Sequence, residues 1–124
     1  MPKILMVDDD LDFLEASKRV LDSKGYEVVI INKLNEAEST IKTYKPDLIL
    51  LDIMMENADD GIAFAQKLRR DGITLPIVML SGVSKVTGYD YQKCDDVLPC
   101  DDFLEKPVSA EKLINKVESI LKLK

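Results

Sequence analysis

Leu48-Ile49-Leu50-Leu51-Asp52 decides how this chain folds. The run is apolar without alternation, as in a strand covered on both faces, and it stops on a carboxylate. Three other short apolar segments behave alike. Ile4-Leu5-Met6-Val7 ends on Asp8 and Asp9, Ile77-Val78-Met79-Leu80 ends on Ser81, and Phe103-Leu104 meets Lys106 one residue on. Val28 to Ile31 supplies a further apolar run.

Helical patterns fill the intervals. Leu11, Leu14, Val20 and Leu21 make one face of a helix from about Leu11 to Lys24, stopped by Gly25. Asn35 is the expected N-cap of a helix reaching Tyr44. Another helix starts near Gly61 and runs to Arg70, where Asp71-Gly72 ends it. Ser109 is expected to cap the last helix, whose apolar face is Leu113, Ile114, Val117, Ile120 and Leu121. Strands alternating with helices imply right-handed crossovers and a parallel sheet with helices on both faces. The expected fold is α/β, flavodoxin-like and doubly wound: (βα)5 with a five-stranded parallel sheet in the order 2-1-3-4-5, a single domain over residues 1–124. In that order the switch point lies between strands one and three, which end in Asp8-Asp9 and Asp52. Ligands of open α/β sheets bind there.

Composition narrows the chemistry. A chain of 124 residues, 46% hydrophobic and 32% charged, can bury one ordinary core. No apolar run approaches the roughly 18 residues that span a bilayer, and the N-terminus lacks a signal-peptide pattern, so a cytoplasmic location is expected. The net charge of −6 argues against direct binding of nucleic acid. There is no histidine, which excludes Ser-His-Asp and Cys-His catalysis. Cys94 and Cys100 are too few for a zinc site and read as reduced thiols.

Three carboxylates converging at one sheet edge repel one another. At an effective dielectric of about 20, each pair roughly 4 Å apart costs about 4 kcal/mol, so a cation or a proton must intervene. Hard oxygen ligands favour Mg²⁺, which takes one or two carboxylates, several waters and a phosphate oxygen. Asp8 and Asp9 are the expected metal pair, and Asp52 a third ligand and a nucleophile toward phosphorus. Lys106 can pair with Asp52 or a phosphoryl oxygen, and Ser81 can donate a hydrogen bond to another. Taken singly, each residue has a plainer reading: an Asp at a strand end as a turn or a helix cap, a Ser-Gly after a strand as a turn, a Lys before Pro as surface. Their occurrence in order on separate strands is what points to a site.

With these residues in view, the chain resembles a receiver domain of a two-component response regulator. The resemblance rests on Val7-Asp8-Asp9, Asp47 to Met55, Val78 to Ser81 and Asp102 to Pro107, and it covers essentially the whole chain. It implies that Asp52 accepts phosphate from a histidine kinase or phosphotransfer protein. It implies that Asp8 and Asp9 hold Mg²⁺ together with the backbone carbonyl of Met54. Ser81 would be the switch hydroxyl, Phe103 the switch aromatic, and Lys106 the lysine that meets the phosphate, followed by Pro107. Met54 and Val83 occupy the positions that tune dephosphorylation. Both are apolar and neither can orient a water, so a long-lived acyl phosphate is expected. The output face would comprise the family's fourth helix, fifth strand and fifth helix. It would serve an unidentified output protein or domain; dimerisation through that face is common in the family.

The chain departs from the family's pattern in two places. Glu56 stands where a proline is usual, and Gly61 comes one residue late. The 25 positions from Ser81 to Lys106 include Gly88, Pro99 and several β-branched residues, so the fourth helix is expected to be short, displaced or mobile. Tyr89, Tyr91, Val97 and Leu98 in that stretch could mark a partner surface or pack on the sheet.

Two other readings stay open. One is a degenerate receiver that acts as an interaction module without phosphorylation. The other starts from the Asp-x-Asp of Asp8 and Asp10, which with Ser81 and Lys106 resembles haloacid-dehalogenase-type phosphatases. There Asp8 would be the nucleophile and Asp10 the acid/base. That reading leaves Asp52 without a role and finds no later acidic pair at a strand end.

Overall fold

In the computed structural model, residues 2–52, 60–82, 102–106 and 108–122 are described, with Asp60, Ser81, Gly82, Phe103, Glu105 and Lys106 described in their backbone only. The expectations at Met54, Glu56, Val83, Tyr89, Tyr91, Cys94, Val97, Leu98, Cys100 and Pro107, and the fourth helix, lie outside the described residues.

The described elements are β1 (Lys3–Val7), α1 (Leu11–Asp22), β2 (Glu27–Ile31), α2 (Leu34–Tyr44), β3 (Leu48–Asp52), α3 (Asp60–Arg70), β4 (Ile77–Gly82), β5 (Asp102–Lys106) and α4 (Ala110–Lys122). The strands pair in parallel in the order β2-β1-β3-β4-β5. The pleat divides their side chains between two cores. Leu5, Val7, Ile49, Leu51, Ile77 and Met79 meet Ala37 and Ile41 of α2 and Ile62, Ala65 and Leu68 of α3. Ile4, Met6, Leu48, Leu50, Val78, Leu80 and Leu104 meet Leu14 and Leu21 of α1 and Leu113, Val117 and Ile120 of α4. All five residues of β3 are buried, which is why its sequence shows no alternation. This is a flavodoxin-like α/β architecture.

The end opposite the acidic residues is clamped by Asp47. The Lys3 N–H donates to Asp47 Oδ2 at 2.8 Å, and the Asp47 N–H donates to the Lys3 carbonyl at 2.7 Å. The Lys3 ammonium also lies 5.1 Å from the centre of the Tyr44 ring. These bonds align the starts of β1 and β3, and therefore their far ends.

Several boundaries differ from the sequence reading. Asn35 is not the cap of α2. Lys33 holds the N-cap position with no side-chain bond, and the helix opens at Leu34. Leu34 packs against the core between the sheet and α2–α3, and this burial draws the start forward. Helix α1 ends at Asp22, and the turn beyond it closes through Tyr26 N–H to the Leu21 carbonyl at 3.2 Å. Gly25 sits in that turn at φ +89°, where other residues are strained. Strand β4 continues through Ser81 to Gly82, and β5 extends from Asp102 to Lys106. Ser109 does cap the last helix: its hydroxyl accepts the Lys112 N–H at 3.2 Å.

The C-cap of α2 is Lys45, a non-glycine residue in the left-handed region at φ 54°, ψ 64°. Its N–H reaches the Ile41 carbonyl at 3.1 Å, a bond that glycine makes without the Cβ penalty. Lys45→Gly is expected to stabilise the protein by about 0.5–1 kcal/mol, read as a higher urea midpoint at unchanged slope. An unchanged or lower midpoint would contradict this.

Candidate functional site

The site is assembled by strand register. Val7 pairs with Leu51, so the residues that follow, Asp8 and Asp52, stand level on neighbouring strands. Asp8 lies past the last residue of β1 but remains in the ladder, its N–H donating to the Ile31 carbonyl at 3.2 Å. Asp52 closes β3 and pairs with Leu80. It follows Leu48 and Leu50 on the α1–α4 side of the pleat. Asp9, the first residue to leave the sheet, is exposed.

The carboxylates of Asp8, Asp9 and Asp52 each offer an oxygen, and these oxygens lie within 4.8 Å of one another. Asp8 is fully buried and Asp52 is 5% exposed. Two acids removed from water beside a third are costly unless their charge is met. Each makes interactions with its surroundings, and Asp8 Oδ1 accepts the Asp10 N–H at 3.0 Å. The donor set is all oxygen, doubly buried and open to solvent on the Asp9 side. That suits a hard divalent cation that keeps several waters, as Mg²⁺ does. Asp8, Asp9 and Asp52 would hold it, and its charge would also accept an incoming phosphoryl oxygen.

The other expected site residues are placed by backbone alone. Ser81 is one residue beyond Leu80, the partner of Asp52, and its own register partner is Glu105. Lys106 pairs with Gly82, two residues beyond that level. Both therefore extend past Asp52 at the same edge of the sheet, by about 3 and 7 Å of strand rise. Phe103 pairs with Met79, one step below the level of Asp52.

One residue acquires a role that the sequence reading missed. Asp10 is the N-cap of α1: its side chain accepts the Phe13 N–H at 3.2 Å, and its carbonyl accepts the Leu14 N–H at 3.1 Å. The signal was available, since an Asp just before an apolar-periodic stretch is a start signature. This geometry disfavours the phosphatase-type reading. That reading needs Asp10 as acid/base, whereas the side chain is spent on the helix and lies outside the carboxylate trio.

Comparison with known proteins gives a consistent result. Residues 4–118 match the family model described as the response regulator receiver domain. The alkaline phosphatase synthesis transcriptional regulatory protein PhoP of Bacillus subtilis is 34% identical over 124 residues, covering 97% of this chain and 48% of its own length. The phosphate regulon transcriptional regulatory protein PhoB of Pseudomonas aeruginosa is 33% identical over 125 residues, covering 96% of this chain and 51% of its own. The chain thus spans about half the length of these curated relatives. Among solved structures, the receiver domain of Francisella response regulator 1452 superposes with a TM-score of 0.85 at 30% identity, covering 99% of this chain and 98% of that one.

Proposed function

This chain belongs to the response regulator receiver domain family, a family of signalling switches, and from that premise we propose that it is a phosphorylation-dependent switch with Asp52 as its phosphoacceptor. The observation that carries the proposal is the trio of Asp8, Asp9 and Asp52, drawn within 4.8 Å at the switch point of the sheet. In the proposed reaction a carboxylate oxygen of Asp52 attacks the phosphorus of a phosphohistidine. The new P–O bond forms as the P–N bond breaks, and the imidazole leaves with a proton from solvent. Bound Mg²⁺ would neutralise charge on the transferring group. Asp8 and Asp9, with the Met54 carbonyl, would hold that ion. Lys106 and Ser81 would each meet a phosphoryl oxygen, and Phe103 would follow Ser81 to carry the change to the output face.

The finer features belong to the same proposal. The chain forms a single receiver domain over residues 1–124, of the doubly wound (βα)5 kind. Its donor is a histidine kinase or phosphotransfer protein, its place the cytoplasm. Among the described residues no helix is long and apolar enough to cross a membrane. The names of PhoP and PhoB make them transcriptional regulators. For this chain we infer an output through a further domain or a separate protein, not through nucleic acid bound by the receiver itself. A homodimer through the output face is part of that picture.

Met54 and Val83 carry no group that orients water, so the acyl phosphate is expected to be long-lived. Incubated with acetyl phosphate and Mg²⁺, the protein should gain the mass of one phosphoryl group. After donor removal the adduct should persist far beyond seconds without a phosphatase. No gain with several donors would favour a phosphorylation-independent module. A half-life of seconds would contradict the role given to Met54 and Val83.

A further inference from the structure

Asp10 has no place in the reaction above, yet it joins the carboxylate trio to helix α1. We propose that Asp10 is a positioning residue for the cation site: by capping α1 it fixes the backbone that presents its own N–H to Asp8. The proposal rests on the reading of Asp8, Asp9 and Asp52 as a divalent-cation site.

The chain of contacts is short. The Asp10 side chain accepts the Phe13 N–H at 3.2 Å and its carbonyl accepts the Leu14 N–H at 3.1 Å. These two bonds hold Asp10 in the extended conformation of an N-cap, φ −94°, ψ 99°. In that conformation its N–H points back to Asp8 Oδ1 at 3.0 Å. This is an Asx-type turn, which closes over the intervening residue, Asp9. One oxygen of a fully buried carboxylate is thereby engaged, and the plane of the group is set before any cation arrives. Asp9 is exposed, and the turn spans it, holding its backbone between Asp8 and Asp10. A single cap therefore orders two of the three proposed ligands, as the outer partners of metal ligands commonly do. The charge of Asp10 is directed elsewhere. Its carboxylate lies at the N-terminus of a twelve-residue helix, where the peptide dipoles favour an anion.

A residue that only caps a helix would change stability without changing cation affinity in the folded protein. A positioning residue changes both, and any side chain that caps should restore the affinity. The test is calorimetric titration of the purified chain with MgCl₂ alone, well below the melting temperature, in wild type, Asp10→Ala, Asp10→Ser and Asp10→Asn. Asp10→Ala should bind Mg²⁺ about fivefold more weakly, the scale of one lost cap, while the Ser and Asn variants stay within about twofold of wild type. Should Asp10→Ala be largely unfolded, its titration is repeated in sucrose, which favours the folded state, with the same weakening expected relative to wild type in sucrose. Equal affinity in the Ala variant and the two capping variants would overturn the positioning role, even with a lower melting temperature. Weakening of all variants alike would assign the effect to charge and overturn it too. Absence of Mg²⁺ binding in wild type would instead overturn the cation site itself.

Discussion

Asp52→Asn is expected to raise the melting temperature of the metal-free protein. Asp52 is 5% exposed and Asp8 fully buried, and the trio places their oxygens within 4.8 Å. At an effective dielectric of about 20, such a pair repels by roughly 3–4 kcal/mol. Asparagine has the same shape and removes one of the charges. The gain is smaller than the repulsion, because Asp52 also interacts with its surroundings and those interactions weaken with the charge. A net stabilisation of about 1–2 kcal/mol, or roughly 4–10 °C, is expected in the presence of a chelator. Mg²⁺ reverses the comparison. A ligand that binds only the folded state at about one hundred times its dissociation constant adds about 2.7 kcal/mol, and the wild type gains more of this than the mutant. The gap should therefore narrow or invert as Mg²⁺ is added. A mutant that melts at or below wild type in chelator would show that the pocket is not crowded with negative charge.

Leu50→Ala is expected to cost more than any substitution at the site. Leu50 is 0% exposed and lies in the middle of β3, paired with Met6 on one side and Val78 on the other. Its side chain enters the core beneath α1 and α4 with Leu14, Leu21, Leu113 and Val117. The neighbours on both strands are held by the ladder and cannot collapse into the space. The expected loss is about 3–4 kcal/mol, against a total of roughly 5–15 kcal/mol for a domain of this kind. Chemical denaturation should show a much lower midpoint at similar slope. Leu11→Ala is the control. Leu11 is 50% exposed on α1, and its loss should stay within about 0.5 kcal/mol. A loss below about 1 kcal/mol for Leu50→Ala would contradict the buried, two-sided sheet.

How far the chain could be read in advance follows from what each signal records. The run Leu48 to Leu51 was legible because both its faces are buried, so composition alone marks it. Ser109 was legible because a cap is a local bond between side chain and backbone. The acidic trio was legible only through topology: Asp8 and Asp52 meet because Val7 pairs with Leu51, and the alternating strand–helix pattern implies that pairing. Boundaries set by tertiary burial were not legible. Asn35 has the local chemistry of a cap, but Leu34 is drawn into the core and α2 begins before it. Ser81 looks like a strand end because it is polar, yet the ladder to Glu105 carries β4 past it. Asp10 was passed over for a different reason. The helix-start signal at Asp10 is present in the sequence, but it sits in a run of three aspartates of one chemistry, and the geometry separates two proposed ligands from the residue that caps the helix.

The central claim is that Asp52, and not its neighbours, takes the phosphoryl group. The direct measurement is intact-mass analysis after incubation with acetyl phosphate and Mg²⁺, on wild type, Asp52→Asn and Asp8→Asn. One phosphoryl mass on wild type, none on Asp52→Asn and a reduced yield on Asp8→Asn is the expected result. A gain that survives Asp52→Asn but vanishes in Asp8→Asn would contradict the account and make Asp8 the nucleophile.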